Sequence, residues 1–313
     1  MIKEIIMKKN LILTVFLLLS IISCTTAADK DSSLSSRGYH SVSKLVSSEW
    51  LNENLDNENI KIIDVRSQDD YEKGHIPGAQ RLTPSEAFQW EDSNGVKGML
   101  PSSNHISNAL SSIGIQQDDT VIFYDSMSNL WASRGLWALE VYGHEDVRLL
   151  DGSWNYWSQN DYPVSTNIES VSISSYKFTK EPNKDLIADW EEILESVDDP
   201  SKIVCDTRSP DEYIGKDVRA DRGGHIPNSS NVNWVNAVNE SGEFLDAKTL
   251  RQIYENKGIK TDKGIYTLCQ TAVRATHTWF VLSELLGYED VKVYDGSWIE
   301  WGNNPNLPLE TRG

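Results

Sequence analysis

Cysteine is nearly absent from this 313-residue chain, which holds only Cys24, Cys205 and Cys269. That scarcity excludes the disulfide framework of a small secreted scaffold. Beyond Cys24, at least one of the remaining thiols needs a chemical reason to be free. Positive charge is also short: Lys and Arg number 29 against 47 Asp and Glu, a net charge of -18 spread along the chain. A phosphate lattice would be repelled at long range, so nucleic acid and anionic lipid surfaces are excluded as partners. A small anionic substrate would need a local positive site. Long apolar runs are lacking too. The run Leu11 to Ile22 is twelve residues broken by Thr14 and Ser20, too short to span a bilayer as a mature helix.

What is present describes a folded body of two domains. Hydrophobic residues make up 39% and charged residues 24%, the range of globular proteins, and the length favours two domains of ordinary size. Lys8 and Lys9 before the apolar run make residues 1–23 an expected signal peptide. The segment Leu19-Ser20-Ile21-Ile22-Ser23-Cys24 resembles a bacterial lipobox, which implies lipidation of Cys24. Residues 24–40 are small, polar and without periodicity, and are expected to be a tether. The expected location is therefore outside the cytoplasm, lipid-anchored at a bacterial membrane on its periplasmic face, with the membrane met only through that anchor. A monomer is expected.

An internal repeat organises the rest. Gly143-His144-Glu145-Asp146-Val147 leads to Asp151-Gly152-Ser153-Trp154, and Gly287-Tyr288-Glu289-Asp290-Val291 leads to Asp295-Gly296-Ser297-Trp298, an offset of 144 residues. Asp64-Val65-Arg66 with Gly74-His75-Ile76-Pro77 returns as Asp206-Thr207-Arg208 with Gly224-His225-Ile226-Pro227. The offsets there are 142 and 150, so the second copy carries an eight-residue insertion that includes Lys216 to Arg222. The copies are expected at 41–165 and 183–313, joined by a polar linker at 166–182. In each, short apolar runs alternate with helical periodicity. Strands are expected at 60–63, 121–124 and 147–150, and at 202–205, 264–268 and 291–294; helices are expected at 131–142 and 275–286. The pattern predicts two α/β domains, each a mostly parallel sheet flanked by helices.

Cys269 follows the expected strand 264–268, and Gln270-Thr271-Ala272-Val273-Arg274 then enters a helix. Ligands of open α/β sheets sit beyond the carboxyl ends of strands. Loop amides and a helix N-terminus form a partially positive cradle there, and Arg274 adds a full charge. A thiol must ionise to attack sulfur, and nearby positive potential stabilises both the thiolate and a persulfide anion. No metal or organic cofactor is required.

Together these segments resemble the rhodanese family. The two Asp-x-Arg and Gly-His-Ile-Pro pairs resemble its signatures, Cys269 to Arg274 an active-site loop, and Tyr294 to Gly302 its closing motif. The resemblance covers residues 41–310 and implies a thiosulfate sulfurtransferase that passes sulfur from thiosulfate to cyanide or a thiol. It implies that Cys269 is the nucleophile and persulfide carrier, that the amides of 270–274 cradle sulfur, and that Arg274 recognises the anionic donor. Trp234 is then a pocket wall, and Asp206, Arg208 and His225 are supports behind the site. Aligned without a gap, the first copy has Asp125 opposite Cys269 and Leu130 opposite Arg274, so that copy is expected to be catalytically silent.

Three other activities share these residues. Relatives acting on 3-mercaptopyruvate carry a glycine-containing loop, whereas this loop has no glycine and ends in Arg274. Cysteine phosphatases place five residues between cysteine and arginine; here there are four. A persulfide carrier without turnover would use the same thiol. Cys205, inside an apolar run, is expected to be a small buried hydrophobe, and the matched Trp154 and Trp298 to serve packing.

Overall fold

The two copies form two five-stranded sheets whose strands are parallel throughout. The computed structural model describes residues 32–311, so the expected signal peptide and Cys24 lie outside the described residues. The first sheet is built from β1 (Leu45–Val46), β2 (Ile60–Asp64), β3 (Gln80–Arg81), β6 (Thr120–Tyr124) and β7 (Val147–Leu150), in the order β1-β7-β6-β2-β3. Between β3 and β6 a small antiparallel hairpin pairs β4 (Trp90–Glu91) with β5 (Lys97–Met99). The second sheet uses β8 (Ile187–Ala188), β9 (Lys202–Asp206), β10 (Ser230–Asn231), β11 (Gly264–Leu268) and β12 (Val291–Tyr294), in the order β10-β9-β11-β12-β8. Parallel central strands are covered on both faces, which is why β6 and β11 read as mainly apolar runs without alternation. Every residue of β11 is buried.

Three helices bear on the site and on how the copies join: α1 (Ser32–Ser35), α2 (Leu130–Val141) and α3 (Val273–Phe280). Helices α2 and α3 leave equivalent loops of the two copies and pack on each other, nearly every residue of both being buried. The helix expected to run to residue 286 stays α-helical only to Phe280 and widens to a π turn over Val281–Leu285.

The expected tether is corrected over its second half. Leu34 is fully buried, the Tyr39 hydroxyl donates to the carbonyls of Phe244 and Leu245, and Arg37 pairs with Asp151 (2.7 Å) and Glu243 (2.6 Å). This segment bridges both copies; a few isolated anchors suffice to dock it without any periodicity. Part of the expected linker is docked as well, since Tyr176 is buried with its hydroxyl 2.9 Å from His144 Nδ1.

Candidate active site

β11 delivers Cys269 to the carboxyl edge of the second sheet, where the chain must reverse into α3. It does so with Ala272 in the left-handed region at φ 60, a conformation costing a residue with a Cβ about 1–2 kcal/mol. The hydroxyl of Ser297 offsets that strain. It accepts from the amides of Cys269 (3.2 Å) and Ala272 (3.1 Å) and donates to the Tyr294 carbonyl (2.9 Å). The Trp298 and Ile299 amides then donate to the carbonyls of Cys269 and Gln270 at 2.9 and 3.0 Å. The closing motif is thus the scaffold that holds the loop.

The first copy displays what this kind of loop can hold. The Asp125 carboxylate receives the amides of Met127 (2.8 Å), Asn129 (2.9 Å), Trp131 (2.8 Å) and Ala132 (3.2 Å), while Ser153 repeats the role of Ser297. Burial raises the Asp125 carboxyl above its usual range while those four amides pull it down. Four N–H groups therefore converge on an oxygen ligand at the position that Cys269 occupies in the other copy. The ungapped alignment needs one correction here. The helix cap is Asn129 in the first copy and Ala272 in the second, four residues after Asp125 but three after Cys269. The first loop is one residue longer, so Trp131, not Leu130, stands opposite Arg274.

Cys269 itself is buried, 1% exposed. Arg274 is near it, and Cys269 is among the groups that favour the guanidinium's charge. It is not a free cation, however. Its two terminal nitrogens grip Glu212 at 2.6 and 2.9 Å. Burial opposes the guanidinium's charge, but Glu212 and Cys269 raise its pKa above the ordinary arginine range. Glu212 is buried too; burial pushes its carboxyl up, yet Arg274 and Ser209 pull it down to about 2. It sits in a capping box at the start of helix Pro210–Tyr213, exchanging hydrogen bonds with Ser209. Sequence reasoning missed Glu212. The Ser209-Pro210-Asp211-Glu212 capping pattern just after Asp206-Thr207-Arg208 could have revealed it.

The remaining predicted residues separate into rim and frame. Gln270 donates from Nε2 to the Arg219 carbonyl (2.8 Å), tying the loop to the eight-residue insertion. Thr271 abuts Gly98 of the β4–β5 hairpin so closely that a Cβ on Gly98 would stand 2.7 Å from its own. Ala272 and Val273 are buried. Trp234 is half-buried, its ring 5.0 Å from His277 on α3, and its amide donates to the Thr207 carbonyl. Asp206 and Arg208 form a buried pair at 2.5 Å with Arg208 over the Trp298 ring; Asp64 and Arg66 repeat it at 2.6 Å against Trp154. A pair present in both copies braces the fold rather than the chemistry of one. His225 belongs to the same frame: it stacks on Tyr213 at 3.8 Å, as His75 does on Tyr71, with Nδ1 2.8 Å from the Tyr213 carbonyl. Ser297, the Arg219 backbone and Gly98 join the site unforeseen.

Known proteins share this architecture. The Rhodanese-like domain description matches residues 47–160 and 189–304. The sulfur carrier protein TtuD of Thermus thermophilus is 36% identical over 87% of this chain and 98% of its own length. The protein of Saccharopolyspora erythraea named "Putative thiosulfate sulfurtransferase" is 36% identical over 85% and 95%. Among solved structures, EanB held as a cysteine persulfide in a tetrahedral intermediate state with ergothioneine is 25% identical. It superposes with a TM-score of 0.78 over 87% of this chain and 71% of that one. Tum1 of Saccharomyces cerevisiae shares the fold, with a TM-score of 0.77 at 23% identity, over 87% of this chain and 100% of that one.

Proposed function

This chain belongs to the rhodanese-like family with two copies of its domain, and from there we propose that it moves sulfane sulfur from thiosulfate to cyanide or a thiol through a persulfide on Cys269. The Cys269 thiolate attacks the outer sulfur of thiosulfate, the S–S bond breaks, and sulfite leaves with the electron pair. The acceptor then attacks the terminal sulfur of the persulfide, and the thiolate is released as the leaving group. The observation that carries the reading is the set of four amides converging on Asp125, which supports a similar though smaller cradle around an anionic sulfur at position 269, where the Ala272 amide is taken by Ser297.

In this reading Arg274 acts as a positioning group pressed against the thiol by Glu212, with the loop amides as the main anion donors. The near-neutral Arg274–Glu212 pair tempers the preference for a doubly charged donor. The test is steady-state thiocyanate formation, comparing kcat/KM on thiosulfate and on 3-mercaptopyruvate. A higher value on thiosulfate is expected, and a clear win for mercaptopyruvate would overturn the donor assignment. The 36% identity to a sulfur carrier protein favours a second reading, a persulfide carrier without turnover. Product formation that stops after one equivalent per chain, with acceptor in excess, would select it.

Export and acylation at Cys24 are part of the proposal, on the strength of the lipobox resemblance. Radiolabelled palmitate should enter the chain in a bacterial host and be lost in Cys24→Ala.

A further inference from the structure

The silent copy retains a cavity where the other copy keeps its thiol. At the carboxyl edge of the first sheet lies a space of about 470 Å³, within the range of small-molecule sites and in the place where α/β sheets bind them. Its chemistry is inverted relative to the other copy. The amide cradle is already filled by Asp125, and the register position of Arg274 belongs to Trp131. A cation is supplied from a different element, by Arg81 on β3, where the second copy has Asn231.

Arg81 is half-buried, and its guanidinium donates to Gln68 Oε1 (2.7 Å), Thr83 Oγ1 (3.2 Å) and the Arg66 carbonyl (3.4 Å). All three acceptors are neutral, and among the described residues no carboxylate forms an ion pair with Arg81. With five N–H donors available, some remain for a ligand. Asp70, which matches Glu212 in sequence, does not neutralise it; that carboxylate is engaged by Ser67 and Lys73 at the exposed rim. The lining also holds apolar groups, Pro84, Trp131 and Met127, the last 50% exposed.

We propose that this cavity binds a small organic monoanion, its carboxylate or sulfonate on Arg81 and its hydrocarbon or aromatic part against Met127 and Trp131. An inorganic dianion fits poorly, because it would bring two charges towards Asp125 and Asp70 and leave the apolar wall uncovered. The site is separate from Cys269 and stands whether or not the sulfur-transfer reading does.

Calorimetric titration of the full chain with phenylacetate tests this, with sulfate and benzyl alcohol as probes carrying only charge or only a ring. Saturable phenylacetate binding is expected, roughly tenfold or more tighter than either control, unchanged in Arg274→Gln and weakened roughly tenfold in Arg81→Gln. Should Arg81→Gln fail to fold, Met127→Glu, at an exposed position, must weaken phenylacetate by a similar factor. Three results would overturn the proposal: no saturable phenylacetate binding, equal binding of sulfate, or loss in Arg274→Gln with retention in Arg81→Gln.

Discussion

Glu212 decides what Arg274 can do. Sequence alone shows an arginine five positions after a cysteine and leaves its charge free; the structure commits that charge to a buried carboxylate. Linkage gives the consequence. A carboxyl held down to about 2 in the folded state, against an ordinary value near 4.5, stabilises the fold fully above about pH 4.5. That contribution is lost as the pH falls from there towards 2. Glu212→Gln should therefore be less stable at pH 7 by ~3 kcal/mol, since Arg274 is left without its counter-charge, and should lack this part of the acid dependence. Urea unfolding between pH 2.5 and 7 measures both; equal slopes in the two proteins would contradict the pairing. The two cysteines also separate at this scale. Cys205 is fully buried, and burial followed by the charge of Asp206 pushes its thiol well above the ordinary range. Cys205→Ala should keep sulfur-transfer turnover and Cys269→Ala should abolish it, read by thiocyanate formation.

Elements were the most legible level, because a strand buried on both faces and a helix with one apolar stripe leave different periods in sequence. The six expected strands lie within one residue of those observed, and β11 places Cys269 at the sheet edge as its sequence position implied. What escaped was local backbone geometry. The extra residue in the first loop is accommodated by Ser128 and Asn129, both with positive φ, whereas the second loop has only Ala272 there. Identity at flanking motifs cannot reveal a one-residue difference between them, so sequence pairs Leu130 with Arg274 where the structure pairs Trp131. The π turn at Val281–Leu285 leaves no signal in sequence either: Val281, Leu282 and Leu285 are apolar and buried while Ser283 and Glu284 are partly exposed, as an α-helical period would also have it. The strain at Ala272 makes its own prediction. Ala272→Gly should raise stability by ~1 kcal/mol in chemical denaturation, with the Ser297 hydrogen bonds and sulfur loading intact. A destabilised Ala272→Gly would mean that the left-handed turn is not strained as described.

For the whole molecule, the two copies are joined through a pair of related carboxylates at the closing motifs. Asp295 accepts from the Leu100 amide (2.6 Å) and from buried Arg134 on α2 (2.8 Å). Asp151 accepts from the Phe244 amide (3.0 Å), but the position on α3 that matches Arg134 is His277, kept neutral with its pKa pushed down to about 3 by burial. Arg37 supplies the missing cation from the N-terminal segment. Burial pushes Asp151 up to about 7 even with Arg37 pulling it down. A carboxyl raised in the folded state costs stability that accumulates as the pH rises from its ordinary value near 3.8 up to about 7. Arg37→Met should raise it further, destabilising the fold by ~3 kcal/mol and more at pH 8 than at pH 6; thermal unfolding at the two pH values reads the difference. Composition could not announce this role. A polar segment without periodicity resembles a tether, and its docking rests on a few scattered groups: Leu34, Arg37, Tyr39 and the His40 amide, which donates to the Leu285 carbonyl.

The functional reading rests on the loop after β11 keeping a sulfur anion on Cys269. Intact mass spectrometry of the purified chain after incubation with thiosulfate addresses it directly. The predicted result is a gain of one sulfur atom, removed by cyanide, present in Cys205→Ala and absent in Cys269→Ser. An unchanged mass, or a gain that survives in Cys269→Ser, would contradict it.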